Sequence, residues 1–313
     1  MALRLLIAIL ILAVPAELPG CGPFLPEALF FDPVRPERPA QEFATGQLGI
    51  LLPSYERFYQ VIAYRYLTGV GLNAAERREV LHTGPVPRES VLSSGGFENR
   101  NPWLAARNKV PGVKPIDDLD AYREVKREGY FDTYLNCNDD AFSTAAATLR
   151  DRIKPLGTEP TADWIAAQDT VFENCSKGTA TPPLASDPRL AAARAYQIAS
   201  AEFYSEQYDS ARQHFQAIAA NETSPWHGVA PYLAARCLIR SGNLGGAENE
   251  LQRIAADPAL ARWHAPAESL LGYVRLRLQP GERMHELAAA LVLPDSEATI
   301  SQDLTDYRFL FDK

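Results

Sequence analysis

Hydrophobic positions fall into three regimes along the chain. The first is a solid apolar run, "LLIAILILAV" from Leu5 to Val14. It covers about 15 Å as a helix, half of a bilayer core, so it is too short to span. The second, residues 22 to 40, is broken by five prolines but holds Phe24, Leu25, Leu29, Phe30 and Phe31. It predicts an extended arm whose rings lie against a folded body. From residue 53 onward apolar positions recur at helical spacing.

"SYERFYQVIAYRYL" predicts a helix over 54–67, capped by Ser54 and facing inward with Tyr55, Phe58, Ile62 and Tyr66. "NAAERREVLHTG" predicts a second, from Ala74 to His82, with Asn73 as cap and Gly84 as stop. Residues 83–117 read as a long loop in which Trp103, Arg100 and Arg107 offer binding character, or in which Trp103 pins the chain. "AYREVKREGYFDTYLN" fits either a helix with coil or a hairpin around Glu128-Gly129. Two further helices follow. The first puts Phe142, Ala145, Ala146, Leu149 and Ile153 on one face, with Asn138 and Asp139 at its start. The second puts Trp164, Ile165, Gln168, Val171 and Phe172 inward and ends at Cys175.

Two segments align at a period of 36 residues: "AYQIASAEFYSEQYDSARQHFQAIAANE" and "PYLAARCLIRSGNLGGAENELQRIAADP". Ala199 matches Ala235, Tyr208 matches Leu244, Ala211 matches Ala247, Phe215 matches Leu251, and Ile218 matches Ile254. Each reads as helix, tight break, helix, with alanines at the crossing and large residues between. The pattern resembles the tetratricopeptide repeat, in "YDSARQHF" and "GNLGGA" above all. The period differs from the usual 34, the early Trp is absent, and Glu206 stands where the family has a turn glycine. "ESLLGYVRLRLQPGERMHELAAALV" is a third, degenerate unit. The resemblance covers about residues 190 to 293 and implies stacked hairpins with a concave surface that binds a peptide or helix. The competing reading is that these hairpins only pack against the N-terminal half. Trp226-His227 and Trp263-His264 occupy the inter-repeat connections, either lining a groove or stapling hairpins together.

Composition bears on location and partners. The net charge is −8 and the pI about 5.3, with no basic stripe, so nucleic acid is not an expected partner. Arg4, the apolar run and Pro15 read as an export signal over residues 1–20. "VPA" before Glu17 suits an ordinary signal peptidase. "LPGC" resembles a bacterial lipobox ending on Cys21, with Pro19 an unusual occupant. An acylated Cys21 would anchor the protein to a membrane.

The cysteines are Cys21, Cys137, Cys175 and Cys237. Export favours disulfides. Helices joined by a short loop pack antiparallel, so the start of the first and the end of the second meet, pairing Cys137 with Cys175. Chain entropy gives such a closure about 4 kcal/mol. Two unpaired thiols are the alternative. A metal pair lacks a second ligand at the required spacing. Cys237 lies on the apolar face of a helix as a buried thiol.

The histidines His82, His214, His227, His264 and His285 form no zinc motif. No phosphate loop or nucleophile elbow occurs, and no cofactor is implied. The chain thus divides into a signal (1–20), a proline-rich arm (21–52), a helical region (53–180) with the 83–117 loop and the 137–175 hairpin, the repeats (188–293) and a segment 294–313 beyond which further helices can follow. The expected fold class is all-α, a short solenoid of antiparallel hairpins with an extended N-terminal arm. The expected function is a non-catalytic interaction or scaffold module at the cell envelope, with a protein or peptide partner. The alternative is a helical envelope enzyme acting on glycans through two carboxylates.

Overall fold

A computed structural model describes residues 36–83, 100–127, 130–293 and 300–311. The signal segment, Cys21 and the aromatic part of the arm lie outside the described residues. The chain forms two compact units, divided after Pro85.

The first unit contains α1 (Ala40–Phe43), α2 (Arg57–Leu67) and α3 (Ala74–Thr83). α2 begins after Glu56 rather than at Ser54, so Ser54 is not its cap. Its inward face carries Tyr59 and Ile62 beside Phe43, with Tyr55 just ahead of the helix. Three edge-on ring pairs, Phe43–Tyr59 closest at 5.5 Å, fill that core. α3 starts on a capping box: Asn73 Oδ1 accepts from Ala75 N and Glu76 N, and Glu76 accepts from Asn73 N. The Glu76 carboxylate also takes both terminal nitrogens of Arg65, at 2.9 and 3.0 Å, with both side chains buried. Its bidentate geometry offsets the desolvation of two charges. Gly46 has φ +94°, and a Cβ there would meet the Tyr66 ring at 2.6 Å, so the turn requires glycine.

Among its described residues, the second unit is helical apart from one hairpin. α4 (Arg100–Asn108) stands inside the segment expected as a loop. Pro102 lies in its first turn, where a missing N–H costs nothing. Arg107 is buried, with its guanidinium on Asp169 at 2.8 and 2.6 Å, and Arg100 donates to Leu119 O at 3.1 Å. Both arginines therefore serve packing and not an exposed binding loop. Trp103 is fully buried, edge-on to Trp164 and Phe172. β1 (Tyr122–Arg127) and β2 (Tyr130–Leu135) pair antiparallel, Tyr122 opposite Leu135. This resolves the ambiguous segment as a hairpin, whose turn falls outside the described residues.

α5 (Asp139–Thr148) widens into a π-helical turn, Leu149–Ile153, and a tight turn, Lys154–Leu156. Asn138 precedes it without a side-chain capping bond, and acidic Asp139 and Asp140 occupy the first turn instead. α6 (Thr158–Glu173) returns. The Cys137–Cys175 disulfide joins the start of α5 to the end of α6, with Cα atoms 5.5 Å apart. Phe142, Leu149, Ile153, Trp164, Ile165 and Phe172 form one core.

Three helix pairs follow: α7 (Ala191–Tyr204) with α8 (Tyr208–Ala220), α9 (Ala230–Arg240) with α10 (Leu244–Ala256), and α11 (His264–Leu278) with α12 (Pro280–Val292). Adjacent helices pack in sequence order, and α6 packs on α7. α13 (Ile300–Phe311) covers α12. The unit is an all-α solenoid of stacked pairs, from which the β-hairpin is the one departure among the described residues.

The hairpin satisfies helix ends. The last carbonyls of a helix have no intrahelical donor. Asn136 Nδ2 donates to Cys175 O at 3.1 Å, just past α6, and to Tyr204 O at 2.9 Å, at the end of α7. Arg123 adds donors to Asn174 O and Tyr204 O. Arg240 on α9 in turn donates to Asn136 Oδ1 at 2.8 Å. Glu206, between α7 and α8, has φ 68°, and Gly242 one period later has φ +80°. A side chain in this left-handed conformation costs about 1 kcal/mol. The strain is offset at Glu206 by Tyr134, whose hydroxyl donates at 2.7 Å, and by Arg123 at 3.6 Å.

Candidate functional site

The repeat positions come in matched pairs. Ala199 and Ala235, and Ala211 and Ala247, are completely buried, which brings the helix backbones together. Phe215 and Leu251 fill the space between helices, with Ile218 and Ile254 beside them. Tyr208 and Leu244 are half-buried at the start of each second helix. Cys237 is a free, buried thiol that burial pushes up to about 12.

A second pairing runs along the first helices. Tyr196 on α7 stacks on Trp226 in the following connection, centroids 5.2 Å apart and planes 14° off parallel. Tyr232 on α9, one period later, stacks on Trp263 at 5.3 Å and 23°. Each tryptophan therefore staples a first helix to the connection that ends its own repeat. A guanidinium lies near each indole: Arg152 at 5.8 Å from Trp226 and Arg262 at 5.6 Å from Trp263. Arg152 comes from the π-helical turn after α5, outside the repeats.

These two clusters line one cleft of 810 Å³. α5 forms one wall through Thr144 and Thr148, and the stacked aromatics form the other. Staple and groove are thus the same residues: Trp226 and Trp263 both hold hairpins together and face the cleft. His227 also lines it, with Nδ1 at 2.9 Å from Ser224 O. His264 is not part of the lining. Its Nε2 meets Asp257 O at 2.8 Å, which ties the connection together.

Charge in the cleft is partly paired. Arg236 faces Asp140 at 3.9 Å and sits 5.5 Å from the Phe203 ring. Asp151 is gripped by Arg150 at 2.6 and 2.9 Å, and that hydrogen-bonding holds its carboxyl below the ordinary range. Arg152 and Arg262 form no ion pair among the described residues, and both are exposed. Burial pushes Tyr196 up to about 12, so its phenol stays neutral at any working pH.

The sequence reading found Trp226, Trp263 and His227 but not their companions. Tyr196 and Tyr232 are 36 residues apart, so their signal was present in the repeat register. Arg152 carries no such signal, because only the fold brings the 137–175 hairpin against the repeats.

Residues 202–270 match the tetratricopeptide repeat family model. No curated protein and no solved structure matches the chain. With helix pairs stacked in sequence across and beyond the matched segment, the protein is a tetratricopeptide-like repeat protein, of a kind that serves in general as a protein-interaction or scaffold module.

Proposed function

We propose that this protein is a non-catalytic scaffold of the cell envelope that receives a partner polypeptide in the cleft between α5 and the repeats. The observation that carries the reading is the doubled Tyr–Trp stack on one wall of an open 810 Å³ cleft. Stacked aromatics offer rigid contact area at low entropic cost, as interface anchors do. The export signal read in residues 1–20 and the Cys137–Cys175 disulfide support an oxidising, extracytoplasmic setting. Acylation of Cys21 would tether the scaffold to the membrane.

The test is chemical cross-linking in cells followed by affinity capture, comparing the wild type with W226A/W263A. A specific polypeptide recovered with the wild type and lost with the variant, while circular dichroism shows the variant still helical and folded, supports the reading. Recovery of the same set by both would refute it. Mass spectrometry of the mature N-terminus separates an acylated Cys21 from a start at Glu17.

A further inference from the structure

The cleft has a charge preference opposite to that of the chain. The protein carries a net charge of −8. In the cleft, however, the two aspartates are already engaged: Asp140 faces Arg236, and Asp151 is held by Arg150. What remains without an ion pair among the described residues is Arg152 beside Trp226, whose pull on Asp151 is weaker than that of Arg150, and Arg262 beside Trp263. An arginine near an indole loses part of its rotamer freedom before any ligand arrives, while its donor fork stays hydrogen-bonding competent. The two indoles are themselves fixed by Tyr196 and Tyr232. The result is two Tyr–Trp–Arg clusters along one cleft, one guanidinium from each jaw.

Resting on the scaffold reading, we propose that the partner segment is acidic, and that Arg152 and Arg262 each take one of its carboxylates. Guanidinium forks match carboxylates bidentately, and such charge-assisted bonds are the stronger class of hydrogen bond. Methylene and ring surface flanking the acids packs on the indole edges. A basic segment is excluded by the same two cations. Because the clusters come from different repeats and Arg152 from the non-repeat hairpin, the site exists only where that hairpin meets the stack. A repeat array alone would lack one of the two carboxylate partners.

The probe is a fluorescein-labelled dodecapeptide of alternating Glu and Pro around one central Phe, with glutamine and lysine counterparts of the same length. Fluorescence polarisation is read on the full chain. The glutamate peptide is expected to bind at least about tenfold tighter than the glutamine peptide, with the lysine peptide weakest. Its affinity should fall several-fold between low and physiological salt. R152Q and R262Q should each lose part of that discrimination and R152Q/R262Q all of it. Both residues are exposed, so the fold is expected to survive, and tryptophan emission and the melting temperature check it. Equal binding of the glutamate and glutamine peptides, or an unchanged preference in the double variant, would overturn the proposal. So would binding to vesicles of phosphatidylglycerol with no binding of the glutamate peptide. A partner captured through Trp226 and Trp263 whose binding ignores Arg152 and Arg262 would refute the acidic preference and leave the scaffold reading standing.

Discussion

Breaking the Cys137–Cys175 bridge offers the sharpest test of how the second unit is held together. The bridge closes a loop of 38 residues. Chain entropy assigns such a closure about 4 kcal/mol at room temperature. The second unit runs from Val86 to Lys313, a size at which each kcal/mol shifts the midpoint by about 2–4 °C. C137A/C175A should therefore melt about 8–16 °C below the oxidised wild type. Reduced wild type should fall close to the variant. All four tryptophans, Trp103, Trp164, Trp226 and Trp263, lie in the second unit, so intrinsic fluorescence follows this transition and not that of the first unit. Cys237 does not complicate the comparison, being buried with its thiol pushed up to about 12. A drop below about 3 °C would refute the reasoning. It would mean that the Asn136 and Arg123 bonds to the same helix ends hold the junction without the covalent link.

Three further outcomes follow from the packing. A double-mutant cycle on Y134F and E206Q should give a coupling of about 0.5–1.5 kcal/mol by urea unfolding, since the phenol donates to that carboxylate, and additive singles would remove the clamp from the account. R65M should loosen the first unit by about 3–5 kcal/mol by removing the guanidinium from the buried Glu76 carboxylate, read as faster amide exchange over residues 57–83; unchanged exchange would contradict it. Alkali should destabilise the second unit: burial above all raises Tyr134, Tyr196, Tyr204, Tyr208, Tyr232 and Cys237. Groups whose folded value is raised stay protonated after their unfolded counterparts ionise, so stability is complete below the unfolded value and is lost as pH climbs through the folded one. The melting temperature should accordingly hold to about pH 9 and fall from there to about pH 12, and a flat profile would show that these side chains are freely hydrated.

Much of the repeat region was legible because its physics is local. Ala211 and Ala247, or Phe215 and Leu251, do the same job one period apart, and the pattern of small and large residues writes that job into the sequence. The disulfide was legible for a related reason, since a helix start and a helix end are marked by their own residues. α4 was not, because Pro102 and the surrounding glycines and prolines read as breakers, while the residue that fixes the helix, Asp169, sits 62 positions away from Arg107. The cleft was half-legible. Trp226 and Trp263 announce themselves, but Arg152 gains its meaning only from a neighbour that no spacing rule connects to it.

The β-hairpin has a consequence for how such an array can lengthen. A stack of repeats has two ends, and each exposes a face that wants another layer. Here α6 already lies on α7, and Asn136 and Arg123 occupy the carbonyls at the ends of α6 and α7. Asn136 and Arg123 therefore clamp the α6–α7 junction, and the disulfide locks α6 to α5 beside it. A unit inserted between α6 and α7 would have to break that clamp, whereas one inserted after α12 would have to displace α13. The junction of α6 with α7 is therefore pinned, and with it the place where the hairpin that carries Arg152 meets the first repeat.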